Sequence, residues 1–561
     1  MCGIAGIIRF AGLTQQDRHC ATRLSKLLAH RGPDASGIHA SPTCTLVQTR
    51  LALTGPNIEL PLTQGRHTLV YNGEIYRFTN DTEAVLHALI ADGPRALPNL
   101  NGMFALFLWD AREQRGFAAV DPLSIKPFFY AATPERFAFA SEAGALIESG
   151  AVPFKPNPEA IAESLTAPYF SGAHDLPFAN IQRLLPGHSL ELTRDGITTH
   201  RYFDFTHSRD AARPYPEDLP DTLHAAITHS LRSDAPVGTF LSGGVDSSLI
   251  AAIAQKPAWT ISYENEDRAD YAASLIVKSP DRPYAERVAA RHGLDHRIVH
   301  VTPTCYEAAL QRTLHANDLI CAWEQEVSQQ LLAEAAAPHV KAVLVGDAAD
   351  ETHFGYSFLL NPQRIATPHH ILEFFGAVPL RREFLDNPIE HFGSKYQAFA
   401  KDRGYSWASQ TDQRLAMSCL IYHLWLTRLL HNGDIHLMHH SLEGRVPFGD
   451  ARLLALAQTI PQELGYRDGI EKWHLRKGAE RFLDAEIAWR PKSALTKNLH
   501  AHAIVHRHFQ AAWKRSGDFL TPYVDADRIH QLGATERDTG LYFRLLSVLT
   551  WFERFSSLQQ V

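Results

Sequence analysis

Apolar positions follow two different regimes along the chain. Up to about residue 205 they fall in short runs rich in Val, Phe and Tyr with turn-forming flanks, at 3–8, 45–53, 68–71, 103–109, 116–120, 128–131 and 136–140. Such runs predict strands, and helical spacing shows only around 17–30 and 82–90. Between Phe203 and Pro220 the period is lost while Pro, Asp and Ser accumulate, which reads as a connector. Strand and helix text then alternate: a strand at 238–241, a helix from Asp246, strands at 259–263, 297–301 and 341–346, and helices over 283–292 and 324–337. Alternation of this kind predicts a parallel sheet covered by helices, and from about Glu373 the text turns mostly helical. The expected division is residues 1–205, a linker at 206–220, and residues 221–561.

With 561 residues, 45% hydrophobic and 20% charged, the chain exceeds one domain's length. A net charge of -7 with no Lys/Arg block gives no electrostatic footprint for nucleic acid or an anionic membrane. Six cysteines without CxxC spacing, no leader and no long uncharged apolar run give the expectation of a cytoplasmic protein acting on small molecules.

Cys2 follows only the initiator Met. Removal of Met1 would put a thiol and a free α-amine on one residue, so that the nucleophile carries its own base. A tetrahedral oxyanion would need fixed donors, and Asn72 with Gly73, read as lying directly after a strand, supply a side-chain NH2 and a backbone N–H. In FLSGGVDSS (240–248), glycines and serines open a helix and form a cradle for an anion, without the Lys of the GxxxxGK[ST] loop.

The motifs MCGIAG, HRGPD (30–34), TRLAL (49–53), YNGEIY (71–76), NDTE (80–83), LNGMFALFLWD (100–110), DPLSIKPFFY (121–130) and FASE (139–142) occur in order. This set resembles the class II glutaminase region of glutamine-hydrolysing asparagine synthetases. SGGxDS is the spelling of PP-loop ATP pyrophosphatases, and VGDAADETHFGY (345–356), HSLEGRVPFGD (440–450), EKWHLR (471–476) and WRPKSA (489–494) continue the likeness. The resemblance implies an α+β Ntn-hydrolase-type αββα sandwich followed by an α/β PP-loop ATP pyrophosphatase domain with a helical C-terminal part.

By that resemblance Cys2 is the nucleophile, Asn72 and Gly73 form the oxyanion hole, and Arg50, Asn72, Glu74 and Asp81 bind glutamine. Leu241, Ser242, Gly243, Gly244, Asp246, Ser247, Ser262, Val345, Gly346 and Lys472 would bind ATP. Asp246 and Asp350 would hold Mg²⁺, Asp347 and Lys472 would serve adenylation, and Arg476 completes the KxxLR motif of Lys472. A dry passage for ammonia is expected, with Leu241, Val446 and Pro447 as lining. The partners implied are glutamine, ATP and a small carboxylate acceptor, with a homodimer as a state seen among relatives.

The sequence also departs from the family. About a dozen residues between Glu74 and Asp81 are missing. Asp347 stands where a Glu is usual, and 318–330 offers Trp323, Glu324 and Glu326 where small hydroxyl-rich text is frequent; with Asp347 and Glu351 these form the acceptor candidates. Amidation of an acid other than aspartate therefore stays open beside asparagine synthesis. A β-lactam-synthetase-like cyclase and a catalytically decayed regulator are further alternatives that the Cys2 set argues against. His436, His439 and His440 are weighed as a metal group and set aside for lack of a matching carboxylate or Cys pattern, and His423, His431 and Cys321 are read as structural.

Overall fold

The computed structural model describes residues 2–55, 58–266, 279–356, 367–375, 378–493, 498–532 and 538–560. Ala494 of WRPKSA, and most of the stretch between Glu264 and Ser279 where the resemblance is patchiest, lie outside them.

The N-terminal strands are β1 (Cys2–Ile8), β2 (Ala35–Ala40), β3 (Cys44–Arg50), β4 (Leu62–Gln64), β5 (His67–Ile75), β6 (Gly102–Asp110), β7 (Arg115–Val120), β8 (Phe129–Ala132), β9 (Phe137–Ala140), β10 (Gln182–Arg183), β11 (His188–Thr193) and β12 (Gly196–Arg201). They form two six-stranded sheets, ordered β10-β8-β9-β1-β3-β2 and β12-β11-β7-β6-β5-β4. Ile4, Leu46, Val70, Phe107, Ala118 and Phe139 fill the space between them. The helix Gln15–Leu27 covers the outer face of the first sheet and Asp81–Asp92 that of the second, giving α–β–β–α layers. Both helices begin where side chains cap them: Thr14 and Asp17 form a reciprocal capping box, and Asn80 Oδ1 accepts from the Glu83 amide.

The second part is built on β13 (Val237–Phe240), β14 (Ala258–Tyr263), β15 (His296–Val301), β16 (Ala342–Leu344) and β17 (Glu443–Arg445), all parallel in the order β15-β14-β13-β16-β17. The direction of winding reverses between β13 and β16, so the loops after these two strands diverge and leave a crevice at their carboxyl ends. The expected linker is not loose throughout. His207 is buried with its ring stacked 3.9 Å from Phe354, and the helix Leu219–Ser230 already begins inside the expected linker.

The two parts meet across buried charge. Arg31, fully buried, donates to Glu142 at 3.0 Å and to Asp434 at 2.6 Å, and Lys126 lies 3.4 Å from Asp434. Among the described residues no helix is long and apolar enough to cross a membrane.

Candidate functional site

YNGEI, residues 71–75, lies inside β5 rather than after a strand, which corrects the sequence expectation. Gly73 serves a close approach within the sheet: a Cβ there would stand 2.2 Å from the Met103 carbonyl oxygen on β6. Pairing of β5 with β6 and of β1 with β3 brings Cys2, Arg50, Gly73, Glu74 and Asp81 around one small cavity. The Cys2 backbone nitrogen donates to Asn72 Oδ1 at 3.1 Å, while Asn72 Nδ2 is buried with no hydrogen-bond partner. A donor left over on the residue that holds the Cys2 backbone is of the kind an oxyanion requires. Burial pushes the Cys2 thiol up, and Gln48 Nε2 lies 3.7 Å from its sulfur. Gln48 carries no signal in the sequence, where it is only a polar residue in an apolar strand.

Arg50 Nη2 donates to the carbonyl oxygens of Thr54 at 3.0 Å and Gly55 at 3.4 Å. Asp81 accepts from the Tyr71 hydroxyl at 2.9 Å and the Ile75 amide at 3.1 Å. Glu74 accepts from Thr54 Oγ1 at 3.0 and 3.2 Å, and burial, with Glu443 and Asp81, pushes it up to about 8. Arg50, Glu74 and Asp81 are thus brought together, and the trimmed segment between Glu74 and Asp81 leaves both in place.

The second site lies in the crevice. The loop after β13 turns through Gly243, which has a φ of +73° and lies so close to Tyr284 that a Cβ there would stand 2.5 Å from the tyrosine's own, so other residues are excluded. Ser242 N and Oγ contact Ser247 Oγ at 3.1 and 3.0 Å, and the helix Val245–Ala254 points its N-terminus into the crevice. Lys472 Nζ, almost fully buried, lies 2.5 Å from Asp246 and 2.6 Å from Asp350, and Lys492 pairs with the other oxygen of Asp350. Although burial opposes it, these two ammonium groups hold Asp350 well below the usual carboxylate range. Asp246 Oδ1 is buried without a hydrogen-bond partner, a free carboxylate oxygen of the kind Mg²⁺ takes, whereas both Asp350 oxygens are held by lysines.

A cavity of about 250 Å³ is lined by Leu241, Ser242, Asp246, Ser247, Val345, Gly346 and Asp347 at one end and by Ile125 and Lys126 of the N-terminal part at the other. Val446 joins this lining, whereas Pro447 does not. Asp347 faces Gly433, where a Cβ would be 3.5 Å from its Oδ2, and burial together with the Asp350 charge pushes it up to about 6.

Two expected contacts fall elsewhere. Ser262 lines a neighbouring cavity at the ends of β14 and β15 and donates to Glu266 at 2.9 Å. Trp323 stacks on Tyr169 at 4.5 Å, Tyr169 on Trp425 at 4.3 Å, and Trp425 meets Tyr356, whose hydroxyl binds Glu351, so Trp323 is linked to Glu351 through an aromatic row. Arg476, which completes the motif of Lys472, is buried on Glu471 at 2.5 Å and on the carbonyls of Ala488 and Arg490, where it holds the Lys472 turn. Of the histidines, His436 binds Glu326 at 3.0 Å in a carboxylate already saturated by Asn317 and the Ala322 amide. Cys321 joins His436 and Glu326 within ligand distance, but Arg428 already sits 3.8 Å from that carboxylate.

A family model described as asparagine synthase matches residues 218–557, and one described as a glutamine amidotransferase domain matches residues 1–203. The chain belongs to the asparagine synthase family. It is 27% identical to asparagine synthetase [glutamine-hydrolyzing] 3 of Bacillus subtilis (strain 168), covering 99% of both chains. Identity is 27% to asparagine synthetase B of Escherichia coli (strain K12), over 88% of this chain and 81% of that one. It is 26% to asparagine synthetase 3 of Arabidopsis thaliana, over 88% and 77%. The chain is an enzyme of the asparagine synthetase type, a ligase forming a C–N bond. Lys492, visible in the sequence only within WRPKSA, is the asparagine synthase part's second cation on Asp350.

Proposed function

We propose that residues 1–205 hydrolyse glutamine and that residues 221–561 use the ammonia to amidate a carboxylate activated as its acyl-adenylate, with ATP leaving as AMP and pyrophosphate. The observation that carries this reading is the cavity that joins Ile125 and Lys126 to the Ser242–Ser247 loop and Asp347.

In this reading Cys2, freed of Met1, gives its thiol proton to its own α-amine, which Asn72 Oδ1 orients. The thiolate attacks the glutamine amide while Asn72 Nδ2 donates to the oxyanion. Ammonia leaves, and water resolves the thioester to glutamate. Arg50 exchanges its Thr54 and Gly55 carbonyls for the glutamine α-carboxylate, a bidentate match. In the crevice the acceptor carboxylate attacks the α-phosphate, and pyrophosphate departs onto the serine-rich loop and helix N-terminus. Asp246 and Asp350 would hold Mg²⁺, which neutralises the departing pyrophosphate. Lys472 and Lys492 add fixed positive charge where negative charge develops.

Aspartate is the first acceptor to test. A larger acid is the second reading, favoured by the Trp323–Tyr169–Trp425–Tyr356 row that ends on Glu351. Pyrophosphate release measured with ATP, Mg²⁺, ammonium and a panel of carboxylic acids tests both. Release with aspartate at a rate matching asparagine formation supports the first reading. Release confined to larger acids supports the second, and release with none rejects adenylation.

A further inference from the structure

Strand β17 is three residues long, and its alternation sends Glu443 and Arg445 to one side and Gly444 to the other. Gly444 lines the large cavity, and its carbonyl accepts from Lys126 at 3.3 Å. Arg445 turns the other way, toward Glu74 of the Cys2 site. The Arg445 side chain is wholly buried. Its Nε donates to Glu443 at 2.6 Å and its Nη1 to the carbonyls of Ser230 and Arg232 at 2.8 and 2.6 Å. Its Nη2 is buried without a hydrogen-bond partner, 3.9 Å from Glu74 Oε1.

The charged and titratable groups around Glu74 come from every element packed on it: Cys2 and the amino terminus, Arg50 on β3, Tyr71 and Tyr76 around β5, Asp81 opening its helix, and Glu443 with Arg445 on β17. One guanidinium therefore stands between two buried carboxylates, with Asp81 as a third nearby. We propose that Arg445, contributed by the asparagine synthase part, is a positioning residue of the glutamine site: it orients Glu74 and, being shared with Glu443, leaves that carboxylate one cation short, a deficit that the α-ammonium of glutamine fills. This rests on the reading of Glu74 as a glutamine ligand.

The consequence is proton linkage. Burial, Glu443 and Asp81 push Glu74 up to about 8, so at neutral pH it holds a proton that incoming ammonium displaces. Replacing Glu443 by Gln hands the whole guanidinium to Glu74 and releases that proton before glutamine arrives.

The test is calorimetry of glutamine binding to full-length Cys2→Ala enzyme at pH 7 in buffers of different ionisation enthalpy. The expected release is about 0.9 proton per glutamine in Cys2→Ala and less than about half that in Cys2→Ala/Glu443→Gln. Equal release in the two proteins, or none in Cys2→Ala, overturns the proposal, and the second result does so even where the double variant fails to fold. Cys2→Ala/Glu74→Gln separates the two layers. If it binds glutamine as tightly as Cys2→Ala, the ligand role of Glu74 itself falls. If it binds at least about tenfold more weakly while Glu443→Gln leaves the proton count unaltered, only the Arg445 inference falls.

Discussion

The backbone nitrogen of Cys2 donates to Asn72 Oδ1 at 3.1 Å, and this bond commits the oxygen of the Asn72 amide while its Nδ2 is left buried and without a hydrogen-bond partner. Asn72→Ala should lower glutaminase kcat by about 10²–10³-fold, the usual loss for one oxyanion donor. Cys2→Ala should abolish glutamine-dependent product formation. Both variants should retain amide synthesis from added ammonium salts, measured side by side with the glutamine reaction.

Lys472 and Lys492 share Asp350 between them, and Lys472 also holds Asp246. Lys472→Met should slow acceptor-dependent ATP–pyrophosphate exchange by about 10²-fold or more. Lys492→Met should do so less, because Asp350 keeps Lys472. Glutaminase measured on the same samples should stay within about twofold, since neither lysine lines the Cys2 cavity.

Burial and Asp350 push Asp347 up to about 6. Its carboxylate is ionised above that value and protonated below it, so exchange should fall as pH drops through about 6. Asp347→Asn should be slow at every pH and lose this transition. The pH profile of exchange, with total ATP and Mg²⁺ held saturating, checks both.

Arg31, held on its own side by Glu142, reaches across the contact between the two parts to Asp434. Arg31→Met would remove the cation that both buried carboxylates share, leaving His30 to Glu142 and Lys126 to Asp434, and should cost about 3 kcal/mol by chemical denaturation. Although burial opposes it, His30 and Arg31 hold Glu142 well below the usual carboxylate range. Its folded value lies beneath its unfolded one, so its stabilisation is present above about pH 4.3 and is lost as pH falls. The acid-side decline in stability should therefore be shallower in Arg31→Met.

Much of this was legible in the chain because its signals are local. β1, β6 and β7 announce themselves as apolar runs, and SGGVDSS names its own turn, since Gly243 needs a positive φ and a nearby Tyr284. What stayed hidden depends on distant partners. Glu443–Arg445 has the text of a polar loop, and only the neighbouring strand β16 and the Glu74 carboxylate explain why its two charged residues are wholly buried. Asn72 and Gly73 read as lying past the end of a strand because a glycine inside a strand, where it serves a close crossing, has the same spelling as one that ends it. Gln48 and Lys492 carry no pattern of their own. Each acquires a role from what the fold sets against it, the Cys2 sulfur for one and Asp350 for the other.

The central claim is that ammonia freed at Cys2 reaches an adenylated carboxylate in the same chain. It is tested most directly by supplying amide-¹⁵N glutamine, ATP, Mg²⁺ and the acceptor selected by pyrophosphate release, in the presence of unlabelled ammonium, and following ¹⁵N in the product amide together with the nucleotide formed. The account predicts a product amide enriched in ¹⁵N well beyond the labelled fraction of free ammonia, with AMP and pyrophosphate formed one for one with it. An amide labelled only to the level of the bulk ammonia, or ADP and phosphate in place of AMP and pyrophosphate, would contradict it.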